Sequence, residues 1–305
     1  MKKKYIKLPS GGLARKKPGK LQLFLAENTS SDIPEQTYDF AAKQSEYNPR
    51  DNNVDYKLET FDIQKLAGFE VTVLGAGSVG SFLAYFLGAA QLKLNIIDFK
   101  DVESRHIQGG RTVYEATSIG LSKVDALKQK IERDHLGSSV NPLDFNVGEI
   151  PDGELLSLFA GSALVVIAID DPVQILRVND LAYSTVEFIQ AALQKGAQSG
   201  HIAISVPFVT PCLRCTLGIN SESDIHRLDS APANSFDIVT VSQLAAKVVI
   251  DFIYSKATGQ DITRWDTSKN LIYIANEKGE LSPDSPGIIM EGSSKRPGCP
   301  VCHQQ

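Results

Sequence analysis

The sequence predicts an α/β fold built on a doubly wound, mainly parallel β-sheet that ends in antiparallel strands. Two observations favour this architecture. Short apolar runs alternate with helical patterns from about residue 60 onward, and a glycine-rich turn joins the first run to the first helix. With 305 residues, of which 42% are hydrophobic, the chain is long enough to bury a full core as one large domain or two small ones.

The predicted elements follow one another as βαβ units. We expect right-handed crossovers between parallel strands, the fourth of which is apolar enough to be buried on both faces. The predicted strands cover residues 70–75, 92–98, 142–147 and 163–169, and the predicted helices cover 78–90 and 119–133.

The second half of the chain changes character. Two strand-like runs, 187–193 and 201–206, are joined by a polar loop, and a further strand is predicted at 271–275. Between them, residues 237–257 form the longest stretch with helical periodicity. These features predict late antiparallel strands that extend the parallel sheet.

Residues 1–58 differ in composition from the rest. They are rich in Lys, Asn, Asp, Ser and Pro and contain only short apolar stretches. We predict an N-terminal extension, consisting of a small strand or hairpin and a linker, followed by the main domain at 59–305.

Charge and hydropathy exclude several classes of protein. The net charge of −5 gives no general attraction to nucleic acid or to anionic membranes. No apolar run reaches the roughly 18–20 residues that span a bilayer. The start MKKKYIKL is basic but lacks the apolar core of a secretory signal, so a cytoplasmic location is expected.

The glycine-rich turn predicts a nucleotide site of the Rossmann-like type. Gly75, Gly77 and Gly80 form the pattern G-x-G-x-x-G between a strand and a helix, and Asp98 ends the next strand. A helix N-terminus after such a turn binds phosphate, and the carboxylate suits ribose hydroxyls. A nicotinamide or flavin enzyme, an ATP-binding enzyme and a glycine turn without a ligand all fit this motif alone.

The four cysteines form two C-x-x-C pairs, which predict a zinc site with four cysteine ligands. Four thiolates suit tetrahedral zinc, and closed coordination makes a zinc knuckle structural rather than catalytic. The alternative is redox chemistry, but redox pairs normally open a helix of a thioredoxin-like unit, and neither pair has that context. The pairs are Cys212 with Cys215, and Cys299 with Cys302.

Residues after the glycine turn resemble a known family. Asp98 begins the stretch DFKDVESRHIQGGR, and an Ile-Gly precedes Lys123 by three residues. Asp170 and Asp171 follow the fourth predicted strand, and Arg177 and Asn179 come after them. Over about residues 60–305 the sequence resembles the adenylating domain of ThiF, MoeB and the ubiquitin-activating enzymes. The two cysteine pairs extend this resemblance.

The resemblance implies ATP-dependent formation of an acyl-adenylate on a C-terminal carboxylate. Lys123 and Arg111 would bind the triphosphate, and Asp170 would hold Mg²⁺. Counted back from Lys123, the arginine of the family pattern falls on Gly110, which leaves Arg111 one residue late. Which of Arg105, His106 and Arg111 contacts the phosphates therefore stays open. Lys123 as a solvated helix lysine and Asp170 as a helix cap are the structural alternatives.

The resemblance also implies a homodimer. The segment that ends at Arg50 resembles the element from which the family delivers an arginine to the partner subunit's ATP, and a linker arginine is the alternative. A polar crossover loop at about 218–236, with His226 and Arg227, would cover the acyl chain, and residues 1–58 could clamp a substrate.

Possible partners are a ubiquitin-like protein, a sulfur-carrier protein or a peptide. With all four cysteines bound to metal, no thiol remains for a thioester, so an external nucleophile would accept the acyl group. Three alternatives remain: a peptide-modifying adenylating enzyme of natural-product biosynthesis, an NAD(P)-dependent oxidoreductase, and an inactive module that only binds nucleotide.

Overall fold

The structure is a computed structural model that describes residues 5–7, 13–17, 20–24, 63–194, 199–219, 221–228, 233–260, 268–276 and 287–302. The chain divides into two compact units, Met1–Thr60 and Phe61–Gln305. In the first unit, three short strands form an antiparallel sheet in sequence order. These strands are β1 (Tyr5–Lys7), β2 (Leu13–Lys17) and β3 (Lys20–Phe24).

The second unit contains an eight-stranded mixed sheet among its described residues. Its order is β11-β10-β9-β8-β7-β4-β5-β6. The five strands from β8 to β6 are parallel, and β9, β10 and β11 are added antiparallel. The strands are β4 (Glu70–Leu74), β5 (Lys93–Ile97), β6 (Ser139–Leu143), β7 (Leu164–Ile167), β8 (Phe188–Leu193), β9 (Ser199–Ser205), β10 (Leu271–Ala275) and β11 (Gly287–Glu291).

Helices cover both faces of this sheet. The described helices are α1 (Ser78–Ala89), α2 (Ser104–Ile107), α3 (Lys123–Asp134), α4 (Asp152–Gly161), α5 (Pro172–Ala182), α6 (Leu213–Thr216) and α7 (Ser235–Thr258). Helices α1, α3 and α7 pack on one face, and α4, α5 and α6 pack on the other. Short 3₁₀ turns lie at Ile63–Leu66, Gln108–Gly110, Ala116–Ser118, Val147–Glu149 and Glu222–Leu228.

The doubly wound fold class predicted from the sequence is confirmed. Strands β4, β5, β7 and β8 are buried along almost their whole length, as expected for parallel strands with helices on both faces. From β4, the next two strands, β5 and β6, are added on one side of the sheet, whereas β7 and β8 are added on the other side of β4. The topological switch point therefore lies between β4 and β7. Ligands of such folds bind at this switch point.

Two predicted elements had wrong boundaries. The third parallel strand was expected at 142–147 but spans Ser139–Leu143. The helix expected from residue 119 begins at Lys123, because Gly120 adopts a φ of +88° and Ser122 caps the helix by accepting a hydrogen bond from the Asp125 amide. Strand β11 was not predicted. Within the described ranges, no helix is long and apolar enough to cross a membrane.

Candidate functional site

A cleft of about 530 Å³ lies at the carboxyl ends of the parallel strands. It is bounded by the glycine turn after β4, the loop after β5, the start of α3, the ends of β7 and β8, and the start of α7. This is the switch point of the sheet, where α/β folds of this kind bind ligands.

The glycine turn needs each of its glycines for a different reason. Gly75 has a φ of +97°, and a Cβ there would lie 2.5 Å from the carbonyl oxygen of Ala168. A Cβ on Gly80 would overlap the carbonyl oxygen of Gly75. A Cβ on Gly77 would meet nothing within 4 Å. Packing therefore requires the first and third glycines, whereas the second faces open space at the N-terminus of α1, where backbone can approach a phosphate.

Asp98 is tied to the glycine turn. Its Oδ2 accepts a hydrogen bond of 2.8 Å from the Ala76 amide, and its Oδ1 accepts one of 2.9 Å from the Lys100 amide. The buried Tyr114 hydroxyl donates to the Ala76 carbonyl oxygen at 2.6 Å. These bonds fix the carboxylate at the wall of the cleft and leave further lone pairs for a ligand.

Lys123 is the first residue of α3, and the residue is only 4% exposed. The bond from its amide to the Lys100 carbonyl oxygen holds the start of α3 against the loop after β5. No carboxylate of the described residues lies within ion-pair distance of its ammonium group. Burial lowers the pKa of Lys123, while the charges of Asp98 and Asp170 oppose this shift. Lys123 is thus not a solvated helix lysine but a buried cation at the cleft.

Asp170 and Asp171 divide two roles between them. Asp171 caps α5, because its Oδ1 accepts hydrogen bonds from the Val173 and Gln174 amides at 2.9 and 3.2 Å. Asp170 is largely exposed at the cleft, where its Oδ2 lies 3.9 Å from the Lys100 ammonium nitrogen. The structure therefore gives the cap to Asp171 and leaves the Asp170 carboxylate available to a cation.

The loop after β5 brings further basic residues to the cleft. His106 takes part in a capping box, since its Nδ1 accepts from the Glu103 amide at 2.8 Å, and burial lowers the pKa of His106. Arg105 forms a two-bond ion pair with Glu103 on the surface. Both side chains line the cleft, but each already has a partner in Glu103.

Arg111 enters the same cleft by a different route. The two residues before it, Gly109 and Gly110, have φ values of +70° and +65°, a conformation that favours glycine. The Arg111 Nε is buried and has no hydrogen-bond partner. An unpaired buried donor of a guanidinium group is costly unless a ligand accepts its bond, so Arg111 fits an anion in the cleft better than Arg105 does.

The four cysteines come together away from the cleft. Their sulfur atoms all lie within 4.8 Å of one another, with 3.6 Å between Cys212 and Cys299 and 3.5 Å between Cys215 and Cys302. Tetrahedral zinc with bonds of about 2.3 Å would separate its sulfurs by about 3.8 Å, so the cluster fits such an ion. Burial raises the pKa of the Cys215 thiol to about 11, and a bound metal would displace that proton.

Some residues of the predicted site lie elsewhere. Arg177 pairs with Asp152 and holds the loop before α4, and the buried Asn179 accepts from the Leu213 amide beside the cysteine cluster. Arg50 lies outside the described residues, as do the side chains of His226 and Arg227 and parts of the loop at 218–236.

Sequence patterns did not point to two residues that shape the site, of which Lys100 lines the cleft and Tyr114 is buried against the glycine turn. Lys100 faces Asp170, and Tyr114 supports the glycine turn. The position of Lys100, two residues after Asp98, was the available signal for the first. Nothing in the local pattern marks Tyr114.

The sequence matches the model of the ThiF family over residues 52–282. The chain belongs to the ThiF family. The resemblance predicted from the sequence is thereby confirmed, and membership in this family supports adenylyl transfer as the general activity of the chain.

Solved structures share the fold of this ThiF-family chain. E. coli MccB with ATP matches with a TM-score of 0.62 and 19% identity, over 79% of this chain and 68% of that chain. The microcin C7 biosynthetic enzyme MccB in complex with N-formylated MccA gives 0.61 and 19%, over 79% and 69%. PaaA gives 0.57 and 17%, over 76% and 66%. At these identities the likeness establishes the fold.

Proposed function

We propose that the chain adenylates a carboxylate with ATP and releases pyrophosphate. One observation carries the proposal. A single cleft brings together the open glycine turn, the fixed carboxylate of Asp98, the buried cation of Lys123 and the unpaired guanidinium nitrogen of Arg111. Hydride transfer has no need for two unpaired cations beside a phosphate turn, whereas phosphoryl chemistry depends on such charges.

Each residue has a role in this reaction. The amides at the start of α1 bind phosphate, and Asp98 accepts hydrogen bonds from the ribose hydroxyls. An oxygen of the substrate carboxylate attacks the α-phosphorus, and the bond to the pyrophosphate oxygen breaks. Lys123 and Arg111 neutralise the charge that builds on the phosphate oxygens. Asp170 would hold Mg²⁺, which would add positive charge at the phosphates.

The cysteine cluster is proposed to hold one structural zinc ion. Its four sulfurs are close enough for closed tetrahedral coordination, which leaves no open position for a reacting ligand. Because these are all the cysteines of the chain, no thiol would remain to carry the acyl group as a thioester. An external nucleophile would then take the acyl group from the adenylate.

Two substrate classes fit the proposal. The first is the C-terminal carboxylate of a ubiquitin-like or sulfur-carrier protein, as in the family the sequence resembles. The second is a peptide substrate of a natural-product pathway. The second is favoured by the similar fold of MccB, a microcin C7 biosynthetic enzyme that was solved in complex with N-formylated MccA.

The proposed enzyme acts in the cytoplasm as a homodimer in which Arg50 reaches the partner subunit's ATP. Mixing Arg50→Ala subunits with Lys123→Ala subunits would then restore part of the activity, since one site of each mixed dimer would hold both good residues. If mixed dimers form without any recovery, Arg50 is a linker residue.

ATP–pyrophosphate exchange tests the activity itself. Purified protein, Mg²⁺, ATP and labelled pyrophosphate are incubated with candidate peptides and carrier proteins, and carboxylate-dependent labelling of ATP is expected. A change at the nicotinamide absorbance band without exchange would instead indicate the oxidoreductase. ATP binding without exchange for any carboxylate would indicate an inactive binding module.

A further inference from the structure

Lys100 connects three parts of the cleft. It lies in the loop after β5, and the residue lines the cleft. Its amide donates to Asp98 Oδ1 at 2.9 Å, and its carbonyl oxygen accepts from the Lys123 amide at 3.0 Å. The Lys100 backbone is therefore fixed between the carboxylate proposed to bind the ribose and the buried cation proposed to bind the phosphates.

The side chain of Lys100 is held less firmly than its backbone. The ammonium nitrogen lies 3.9 Å from Asp170 Oδ2 and 5.4 Å from the centre of the Phe99 ring. The side chains of Lys100 and Asp170 are 43% and 71% exposed, and an ion pair between such exposed groups is weak. A lysine ammonium is a point charge on a flexible stem. This group can therefore leave Asp170 for a stronger anion in the same cleft.

Lys100 shares the cleft with two other cations that lack a strong partner among the described residues, Lys123 and Arg111. Burial lowers the pKa of Lys123, and the positive charge of Lys100 adds to this effect because the two ammonium groups repel each other. A cleft in which one sign of charge prevails attracts ions of the opposite sign. A triphosphate carries enough negative charge to pair with all three cations.

Lys100 and a divalent cation would compete for the same carboxylate. Asp170 is the proposed ligand of Mg²⁺, and the Lys100 ammonium group already lies beside one of its oxygens. An ammonium group and a divalent cation repel each other at such short range. With a cation bound at Asp170, the phosphate oxygens offer Lys100 the stronger contact. Without it, the ammonium group neutralises part of the charge of Asp170.

We propose that Lys100 is a further phosphate-binding residue of the cleft and that it competes with Mg²⁺ for Asp170. Its charge supports the binding of ATP without a metal ion and opposes the binding of a metal ion without ATP. The inference rests on the proposed use of ATP and concerns the balance between nucleotide and metal affinity at the same site.

The first test measures the affinity for ATP without a metal ion. The full-length protein, in buffer without added divalent ions, is titrated with ATP by isothermal calorimetry. Wild type is compared with Lys100→Met, which removes the charge, and with Lys100→Arg, which keeps it. Lys93→Met is the matched control, because Lys93 is an exposed lysine of β5 outside the cleft.

Lys100→Met should weaken ATP binding about tenfold, because a charge-assisted contact to a phosphate is lost. Lys100→Arg should keep most of the affinity, since a guanidinium group also binds phosphate. Lys93→Met should bind ATP as the wild type does. Equal ATP affinity of wild type and Lys100→Met would overturn the proposal, and so would a wild type that does not bind metal-free ATP.

The second test measures the affinity for a metal ion without nucleotide. Mn²⁺ serves as the probe, and the electron paramagnetic resonance signal of free Mn²⁺ reports the fraction that each protein binds. Lys100→Met should bind Mn²⁺ about threefold to tenfold more tightly than wild type, because a positive charge beside Asp170 is removed. Lys93→Met should not change the affinity. The double variant Lys100→Met/Asp170→Asn should lose the gain.

Opposite changes in the two affinities are the signature of the proposed role. A residue that only supports the loop after β5 would weaken the binding of both ATP and Mn²⁺. Mn²⁺ binding by Lys100→Met that is no tighter than in wild type refutes the competition, as does a gain that persists in the double variant. Neither measurement requires turnover. Absence of exchange with every carboxylate refutes the adenylation instead, and the two affinities then decide the role of Lys100 alone.

Discussion

Lys123 is a cation in a buried position. The substitution Lys123→Met tests how much this charge lowers the stability of the fold and how much it raises the rate of the reaction. Methionine has a similar length and fills apolar space without strain. A buried charged group without a partner destabilises a protein by about 1–3 kcal/mol or more, and the nearby charges of Asp98 and Asp170 offset part of this. A net gain of about 1–2 kcal/mol is therefore expected in the variant. In a domain of this size it corresponds to a Tm increase of roughly 2–8 °C.

The same substitution removes positive charge from the phosphates. Loss of one preorganised group that stabilises transition-state charge typically slows a reaction about 10²–10³-fold. Lys123→Met should therefore raise Tm and lower ATP–pyrophosphate exchange by about this factor. Differential scanning fluorimetry and the exchange assay measure the two effects. Lys93→Met is the control, because Lys93 is exposed at the start of β5 and lies outside the cleft. It should change neither quantity.

The stability difference should depend on pH. Burial lowers the pKa of Lys123 below its ordinary value of 10.5, so between the folded pKa and 10.5 the unfolded chain binds more protons than the folded chain. Wild-type stability then rises with pH relative to the variant across this window. The Tm advantage of Lys123→Met should be largest near neutral pH and shrink towards pH 10.5. A variant less stable than wild type at pH 7, or a pH-independent difference, would refute the reasoning.

Three further predictions concern the metal, the carboxylates and the glycines. Metal analysis should find one zinc per chain, and Cys215→Ser should lose the ion together with several kcal/mol of stability, whereas metal-free native protein would contradict the zinc site. Asp170→Ala should abolish exchange with an unchanged Tm. Asp171→Ala should instead lower the free energy of unfolding by about 1 kcal/mol, because the helix cap is lost. Equal exchange in wild type and Asp170→Ala would contradict the placement of Asp170 in the active site. Gly80→Ala should prevent stable folding, whereas Gly77→Ala should fold normally but bind ATP more weakly by calorimetry. Equal stabilities of the two would contradict the packing argument.

The strands of the parallel core could be predicted from the sequence, because their apolar local pattern agrees with their burial in the fold. The runs that became β4, β5 and β7 are mainly apolar, and all of their residues except Glu70 and Lys93 are buried. The predicted bounds of the third parallel strand were wrong for a physical reason. Phe145 continues the apolar pattern, yet it is 59% exposed and lines the cleft instead of the core. Pro142 is tolerated in β6 because β6 is an edge strand.

Strand β11 could not be predicted from its own residues. It lies at the other edge of the sheet, and its side chains are partly or fully exposed. Its conformation depends on the antiparallel pairing of Gly287–Glu291 with β10. Such pairing is a long-range contact, which a local pattern does not contain. The contact between Lys100 and Asp170 was hidden for the same reason, since it forms only when β5 and β7 lie on either side of β4.

The arginine of the cleft shows how a spacing argument fails when backbone conformation changes. Counting back from Lys123, the arginine of the family pattern falls on Gly110, which leaves Arg111 one residue late. A count assumes that each residue advances the chain in the same way. Gly109 and Gly110 break this assumption, because two successive residues with positive φ turn the chain as other residues rarely do. After this turn, Arg111 lines the cleft with its Nε unpaired. The glycines that obscure the motif in the sequence are therefore the residues that allow the arginine to reach the cleft.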